Sequence, residues 1–186
     1  GVGPLQDPDS REALRLTLQR CDFITTRDDV SADVVRSISP TVPVRATIDW
    51  AVLESPNAAT VEAVDSYLGE HAVGPFVGVS LHDWRPADSS SRDTVSAMLG
   101  EVCAAAASED LRVVIVPNCV GIQRADDRVF MREAATMLPT KLQGRVLSLP
   151  GDMTAFETRA LISRAAGVFA SRYHPNVFAL AAGTPA

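Results

Sequence analysis

Arg172 and His174 lie two residues apart and combine a side chain that binds phosphates and carboxylates with one that titrates near physiological pH. They follow residues 167–171, a short apolar run that is typical of a buried parallel strand. Pro175 fits the first position of a helix, and residues 176–182 carry apolar side chains on every face, which predicts a buried helix. The pair therefore falls at the carboxyl end of a strand and the amino end of a helix, where α/β sheets bind ligands, anions in particular.

The same two positions also allow a purely structural interpretation. Arg172 could pair with a carboxylate of the protein, and His174 could cap the helix. Spacing alone does not decide between binding and structure at this point of the chain.

A second arginine, Arg27, follows another short predicted strand, residues 23–26, and precedes a helix that Asp28 or Asp29 opens. Asp49 comes after the next strand. Arg27 either binds a ligand, which we favour, or pairs with one of these three aspartates. Asp49 likewise either contacts the ligand or neutralises Arg27.

Other polar residues follow two further predicted strands or lie near a helix start: His82, Arg85, Asn118 and Glu157. His82 and Arg85 line either a ligand cleft or an ordinary surface loop. Asn118 is a weaker cleft candidate. Glu157 either interacts with the helix dipole, the favoured interpretation, or contacts the substrate.

The charge balance restricts the kind of ligand. The net charge of −6 argues against a nucleic-acid surface. Sixteen of the 17 basic residues are arginine, which suits planar carboxylates and phosphates. Residues 75–186 hold 11 basic and 11 acidic residues, so an anion site there must be built from a few positioned cations.

The sequence lacks the motifs of several other classes of site. There is no phosphate-binding G-x-x-x-x-G-K-[ST], no complete G-x-G-x-x-G and no G-x-S-x-G. Three histidines and three cysteines are scattered without metal-ligand spacing, so we expect no metal, and we expect reduced thiols in a cytoplasmic protein. No apolar run reaches the roughly 18 residues that a membrane span needs.

Strands and helices alternate along the chain, which predicts an α/β protein with doubly wound parallel sheets. The predicted strands are residues 23–26, 42–48, 76–81, 111–116, 146–149 and 167–171, and the predicted helices are 10–20, 29–38, 59–70, 92–107, 124–138, 154–166 and 176–182. Breaks at residues 54–57 and 74–75 divide the chain into part of one Rossmann-like domain (1–53), a linker with a connecting helix (54–74) and a second Rossmann-like domain (75–186).

Two blocks of the sequence resemble the polysaccharide pyruvyl transferase family. Residues 171–174 read S-R-Y-H, an apolar helix follows, and residues 183–185 read G-T-P, which is similar to the C-terminal signature of that family. Residues 1–4 read G-V-G-P, and a strand ending in Arg27-Asp28, with Ser31 and then Asp49, resembles its middle section. The resemblance spans nearly the whole chain, and it implies a fragment, because family members extend beyond both ends.

The resemblance implies two Rossmann-like units that face a cleft in a glycosyltransferase-B-like arrangement, with the N-terminal unit only partly present. It implies transfer of the pyruvyl group of phosphoenolpyruvate to two hydroxyls of a sugar, which forms a cyclic ketal and releases phosphate, without a further cofactor. Arg27, Arg172, Tyr173 and His174 would bind the donor, with Arg172 and His174 catalytic and His174 the general acid. The acceptor would be a sugar or a cell-envelope glycan precursor, lipid-linked or free, reached from the cytoplasm or from the membrane surface.

Three departures from the family pattern keep other functions open. Tyr173 stands where leucine is usual, Pro175 where a small residue is usual, and His82 where the family often has arginine. The alternatives are a nucleotide-sugar glycosyltransferase of the same architecture and a non-catalytic sugar-binding or assembly module. For the enzyme we predict that Arg27 and Arg172 face one cleft between the two units.

Overall fold

The computed structural model describes residues 5–53, 55–82, 89–121, 126–149 and 152–186. The chain forms two compact units that divide before Ser55. Each unit is an α/β structure with parallel strands, so the predicted fold class is confirmed at that level. The facing arrangement of the units, and with it the glycosyltransferase-B architecture, stays a prediction.

The first unit is a parallel strand pair with helices. Its elements are α1 (Pro8–Leu18), β1 (Ile24–Thr26), α2 (Asp29–Ile38), β2 (Val44–Ala46) and a short 3₁₀ helix (Trp50–Val52). Ile24 lies opposite Val44 in the register of the strand pair. Helix α2 is the crossover that two parallel strands require. Leu18, Val35 and Ile38 form the small core beneath the pair.

Local capping decides where these helices begin. Asp7 is the N-cap of α1 and accepts a hydrogen bond from the backbone N of Ser10 at 2.8 Å. Pro8 occupies the first turn, where its fixed φ favours the helix and its missing N–H costs nothing. Helix α1 therefore begins two residues before the predicted start at Ser10. Helix α2 has the predicted bounds, because Asp28 caps it through the backbone N of Ser31 at 2.6 Å.

The second unit contains a four-stranded parallel sheet in the order β5-β4-β3-β6. Its elements in chain order are α3 (Ala58–Glu70), β3 (Phe76–Ser80), α4 (Ser89–Ser108), β4 (Arg112–Ile115), α5 (Asp127–Thr136), α6 (Thr140–Gln143), β5 (Val146–Ser148), α7 (Ala155–Ile162), β6 (Gly167–Ala170) and α8 (Tyr173–Ala182). Helix α3, which the sequence placed in a linker, belongs to this unit and packs on α7.

Both faces of the two central strands, β3 and β4, are covered. Val79, Val113 and Ile115 pack in one cluster with residues of α4 and α5. Alternate strand residues point to opposite faces, and Val114 and Val116 are also buried, so helices cover the second face as well. This double burial explains why the central strands β3 and β4 appear in the sequence as continuous apolar runs.

Helix α8 ends at Gly183, as predicted. Gly183 has φ 71°, the left-handed conformation that glycine adopts without strain. The expectation that α8 is buried on every face is wrong, because Leu180 is 78% exposed. Among the residues described, no helix is long and apolar enough to cross a membrane.

Candidate active site at the switch point of the second sheet

The strand order of the second sheet reverses beside β3. From β3 the chain runs through α4 to β4 and then to β5, all on one side of β3, whereas β6 pairs with its other side. Strands β3 and β6 are therefore the neighbours between which the strand order reverses. Open α/β sheets bind ligands at the carboxyl edge of such a switch point. Ser171 and Arg172 directly follow β6, and His82 follows β3 by two residues.

Arg172 is held by a buried carboxylate. Its Nε lies 3.2 Å from Oδ2 of Asp127 and its Nη2 lies 2.5 Å from Oδ1, so the two groups form a bidentate ion pair. The Asp127 side chain is 3% exposed and the Arg172 side chain is 24% exposed. The pairing of Arg172 with a carboxylate, which the sequence left open, is therefore present, and the arginine side chain stays partly exposed.

Asp127 also fixes the loop that follows β4. Its Oδ2 accepts hydrogen bonds from the backbone N of Asn118 at 3.1 Å and of Cys119 at 2.9 Å, and its own backbone N donates to the carbonyl of Cys119. Because β3 lies between β4 and β6, the contact of Asp127 with Arg172 spans the carboxyl end of β3. Asn118, predicted as a cleft residue, thus reaches this region through its backbone amide, and its side chain is exposed.

His82 and Ser171 join the ends of β3 and β6. The Oγ of Ser171 accepts from the backbone N of His82 at 3.1 Å and lies 2.7 Å from its Nδ1. His82 therefore lies at the switch point. Arg85, its predicted neighbour in the site, lies outside the described residues.

Tyr173 and His174 are the first two residues of α8, and Arg172 is its N-cap. The prediction that the helix starts at Pro175 is wrong by two residues. A proline is tolerated there because the first-turn N–H groups lack partners within the helix. The His174 ring lies 5.6 Å from the Tyr173 ring and 6.2 Å from that of Phe178, measured between centroids. The N-cap of α8 makes no side-chain capping hydrogen bond within the described part of the chain.

Arg27, in the first unit, also has carboxylate partners. Its Nη1 donates to Oδ2 of Asp49 at 3.3 Å, and its Nε lies 3.7 Å from a carboxylate oxygen of Asp28. The side chain of Arg27 is 31% exposed. Asp49 additionally caps the 3₁₀ helix through the backbone N of Ala51. Arg27 thus pairs with Asp49 and Asp28, two of the three aspartates considered from the sequence. Donor binding by Arg27 stays a prediction.

Comparison with family models shows to which family the chain belongs. The model of the polysaccharide pyruvyl transferase family matches residues 1–186, the whole chain. The chain belongs to the polysaccharide pyruvyl transferase family. Comparisons with curated proteins and with solved structures gave no match. The family name implies a transferase that acts on polysaccharides.

Glu157 has a structural role in this pyruvyl transferase family member. It forms a capping box with Thr154: the backbone N of Thr154 donates to the Glu157 carboxylate at 2.7 Å, and Thr154 Oγ1 accepts from the backbone N of Glu157. The hydrogen bond from the Thr154 backbone lowers the pKa of Glu157. Its position in the first turn of α7 supports the favoured interpretation, an interaction with the helix dipole.

Asp127 is the residue that the sequence analysis missed. Its signal was local, because two consecutive aspartates, Asp126 and Asp127, are typical of the N-cap and first turn of a helix. The predicted helix began at Arg124 and so placed both aspartates inside it, whereas α5 begins at Asp127 with Asp126 as N-cap. Within the described part of the chain, no group of three or more His, Cys, Asp or Glu side chains could hold a metal ion.

Proposed function

We propose that the protein transfers the pyruvyl group of phosphoenolpyruvate to two hydroxyls of a glycan sugar, which forms a cyclic ketal and releases phosphate. The observation that supports this proposal is the family match over residues 1–186, together with Arg172 and His174 at the edge of β6 beside the switch point. Donor, ketal and acceptor are parts of the proposal.

The charges beside α8 suit this donor. Phosphoenolpyruvate carries a carboxylate and a phosphate close together, and arginine binds either group through paired N–H donors. The partial positive charge of a helix N-terminus adds to that of Arg172, the N-cap of α8. We infer that the donor binds with one anionic group at the side of the Arg172 guanidinium that Asp127 does not occupy.

The chemistry then requires a proton donor. Protonation of the methylene carbon creates an oxocarbenium-like centre at the adjacent carbon, and the first sugar hydroxyl attacks it. The bond between this carbon and the phosphate oxygen breaks, phosphate leaves, and the second hydroxyl closes the ketal. One hydroxyl proton replaces the proton given to the methylene group, and the other leaves with phosphate. We assign the first proton to His174, because imidazole donates and accepts protons near neutral pH.

Calorimetry and product analysis of the full-length protein test this function. We expect binding of phosphoenolpyruvate but not of nucleotide sugars. With a glycan acceptor, release of phosphate should match a gain in glycan mass of one pyruvate minus one water. Binding of nucleotide sugars alone would instead indicate a glycosyltransferase. Binding of a glycan without either donor would indicate a non-catalytic module.

A further inference from the structure

The guanidinium of Arg172 has two edges, and the protein uses one of them. Nε and Nη2 form one edge, and both donate to Asp127. Nη1 belongs to the other edge, and it makes no hydrogen bond to any residue that the structure describes. A bidentate contact with an external anion therefore has to use Nη1 together with the second hydrogen of Nη2.

We propose that Asp127 is the positioning residue of Arg172, holding the Nε edge so that the Nη1 edge meets the donor. This inference rests on the proposed function, because it takes the donor to be an anion bound by Arg172. Asp127 acts only through Arg172 and does not touch the substrate.

The surroundings of Asp127 suit it to this task. Its side chain is 3% exposed, and its carboxylate accepts four hydrogen bonds, two from Arg172 and two from the backbone of the loop after β4. A carboxylate fixed by backbone amides cannot follow the motion of a flexible arginine. It restricts the guanidinium to one orientation before the donor arrives, which reduces the entropy lost on binding.

The neighbouring residue offers a matched control. Asp126 binds Arg128 in the same side-on manner, with Nε to Oδ1 at 3.0 Å and Nη2 to Oδ2 at 2.6 Å. Asp126 is also buried and also accepts from backbone N–H groups, those of Gly121 and Arg128. The Nη1 of Arg128, however, is already bonded to Asp152. The pair of Asp126 and Arg128 therefore has the same structural features as the pair of Asp127 and Arg172, but the second edge of the Arg128 guanidinium is already occupied.

The first test is a double-mutant cycle on donor affinity, with phosphoenolpyruvate as the probe. We expect Asp127→Asn to weaken binding about 10-fold, on the scale of one lost charge-assisted hydrogen bond. In the Arg172→Lys background the same substitution should have little further effect, because Asp127 acts through the arginine. Asp126→Asn should leave the affinity unchanged.

If Asp127 acted only through its charge, its removal would change the donor affinity in the opposite direction. A negative charge beside an anion site repels the donor, so its removal alone would strengthen binding. Unchanged or tighter binding by Asp127→Asn would overturn the positioning role, and so would equal losses in the wild-type and Arg172→Lys backgrounds. Asp127→Glu, which keeps the charge but moves the carboxylate by one methylene, should recover part of the affinity if the asparagine variant folds poorly.

The second test needs no donor. In isotope-labelled protein, the Arg172 Nε–H resonance, assigned by its absence from Arg172→Lys, should exchange slowly with solvent in the wild type and faster in Asp127→Asn. Asp126→Asn should leave it unchanged. If the wild type binds no phosphoenolpyruvate, the proposed function fails. If Asp127→Asn leaves the resonance unchanged, the positioning role fails, whatever the protein binds.

Discussion

Replacement of Arg172 by lysine separates charge from geometry at the candidate site. Arg172 uses one edge of its guanidinium on Asp127, with contacts of 3.2 and 2.5 Å, and Nη1 on the other edge makes no hydrogen bond to a residue that the structure describes. Lysine keeps the positive charge but has a single ammonium group, so it cannot donate paired hydrogen bonds to Asp127 and to a donor anion at the same time. We therefore expect the folded protein to persist and its donor affinity to fall.

The size of the effect follows from the contacts that are lost. One charge-assisted hydrogen bond contributes about 1.5–3 kcal/mol, which corresponds to roughly 10- to 150-fold in affinity. The Arg172 side chain is 24% exposed, so solvent screens part of this interaction, and we expect a value near the lower limit, about 10-fold. Stability should change by only about 1 kcal/mol, because Asp127 keeps its two backbone hydrogen bonds and a nearby cation.

The measurement is the Kd of phosphoenolpyruvate by calorimetry, with thermal unfolding of each variant as the control for folding. Arg128→Lys is the matched substitution, because Arg128 pairs with Asp126 in the same geometry. The reasoning is refuted if Arg172→Lys binds the donor as tightly as Arg128→Lys does. Arg172 would then be a structural residue, and the donor site would lie elsewhere.

Three further predictions use other groups of the chain. His174→Gln keeps hydrogen-bonding capacity without a titrating acid, so turnover should fall about 10²- to 10⁴-fold while donor binding persists, and near-normal kcat would leave His174 a positioning role only. Hydrogen bonding from the Arg128 side chain holds the pKa of Asp126 well below its usual range. The charged carboxylate therefore stabilises the fold at pH values above the pKa of the unfolded state, about 3.9. This stabilisation is lost as the pH falls towards the pKa of the folded state. Asp126→Asn should thus lower the free energy of unfolding by about 1.5–3 kcal/mol at pH 7, a difference that narrows in denaturant titrations at about pH 4 and below; a constant difference would contradict the linkage. Burial raises the pKa of Cys103 to about 11, so a thiol reagent at neutral pH should label the exposed Cys21 and reach Cys103 only on unfolding, whereas rapid labelling of Cys103 in the native protein would show that its core opens.

The strands could be predicted because their signal is local. Each of the six predicted strands is present. The signal is strongest for β3 and β4, because a strand buried on both faces is a continuous apolar run whatever its neighbours are. Helix α2 was predicted with its observed bounds because its cap, Asp28, is adjacent in sequence. The start of α1 was predicted two residues late, at Ser10, because the residue that caps the helix is Asp7.

The sequence by itself determined the α/β class, the family signature and the position of Arg172 and His174 between a strand and a helix. Only the tertiary structure decided the partner of Arg172. Asp127 lies 45 residues away in the chain, and the two meet because β4 and β6 flank β3 in the sheet. Strand order is set by the packing of helices on both faces of the sheet, which is a property of the whole unit. A local pattern can therefore show that an arginine ends a strand, but not which carboxylate lies across the next strand to receive it.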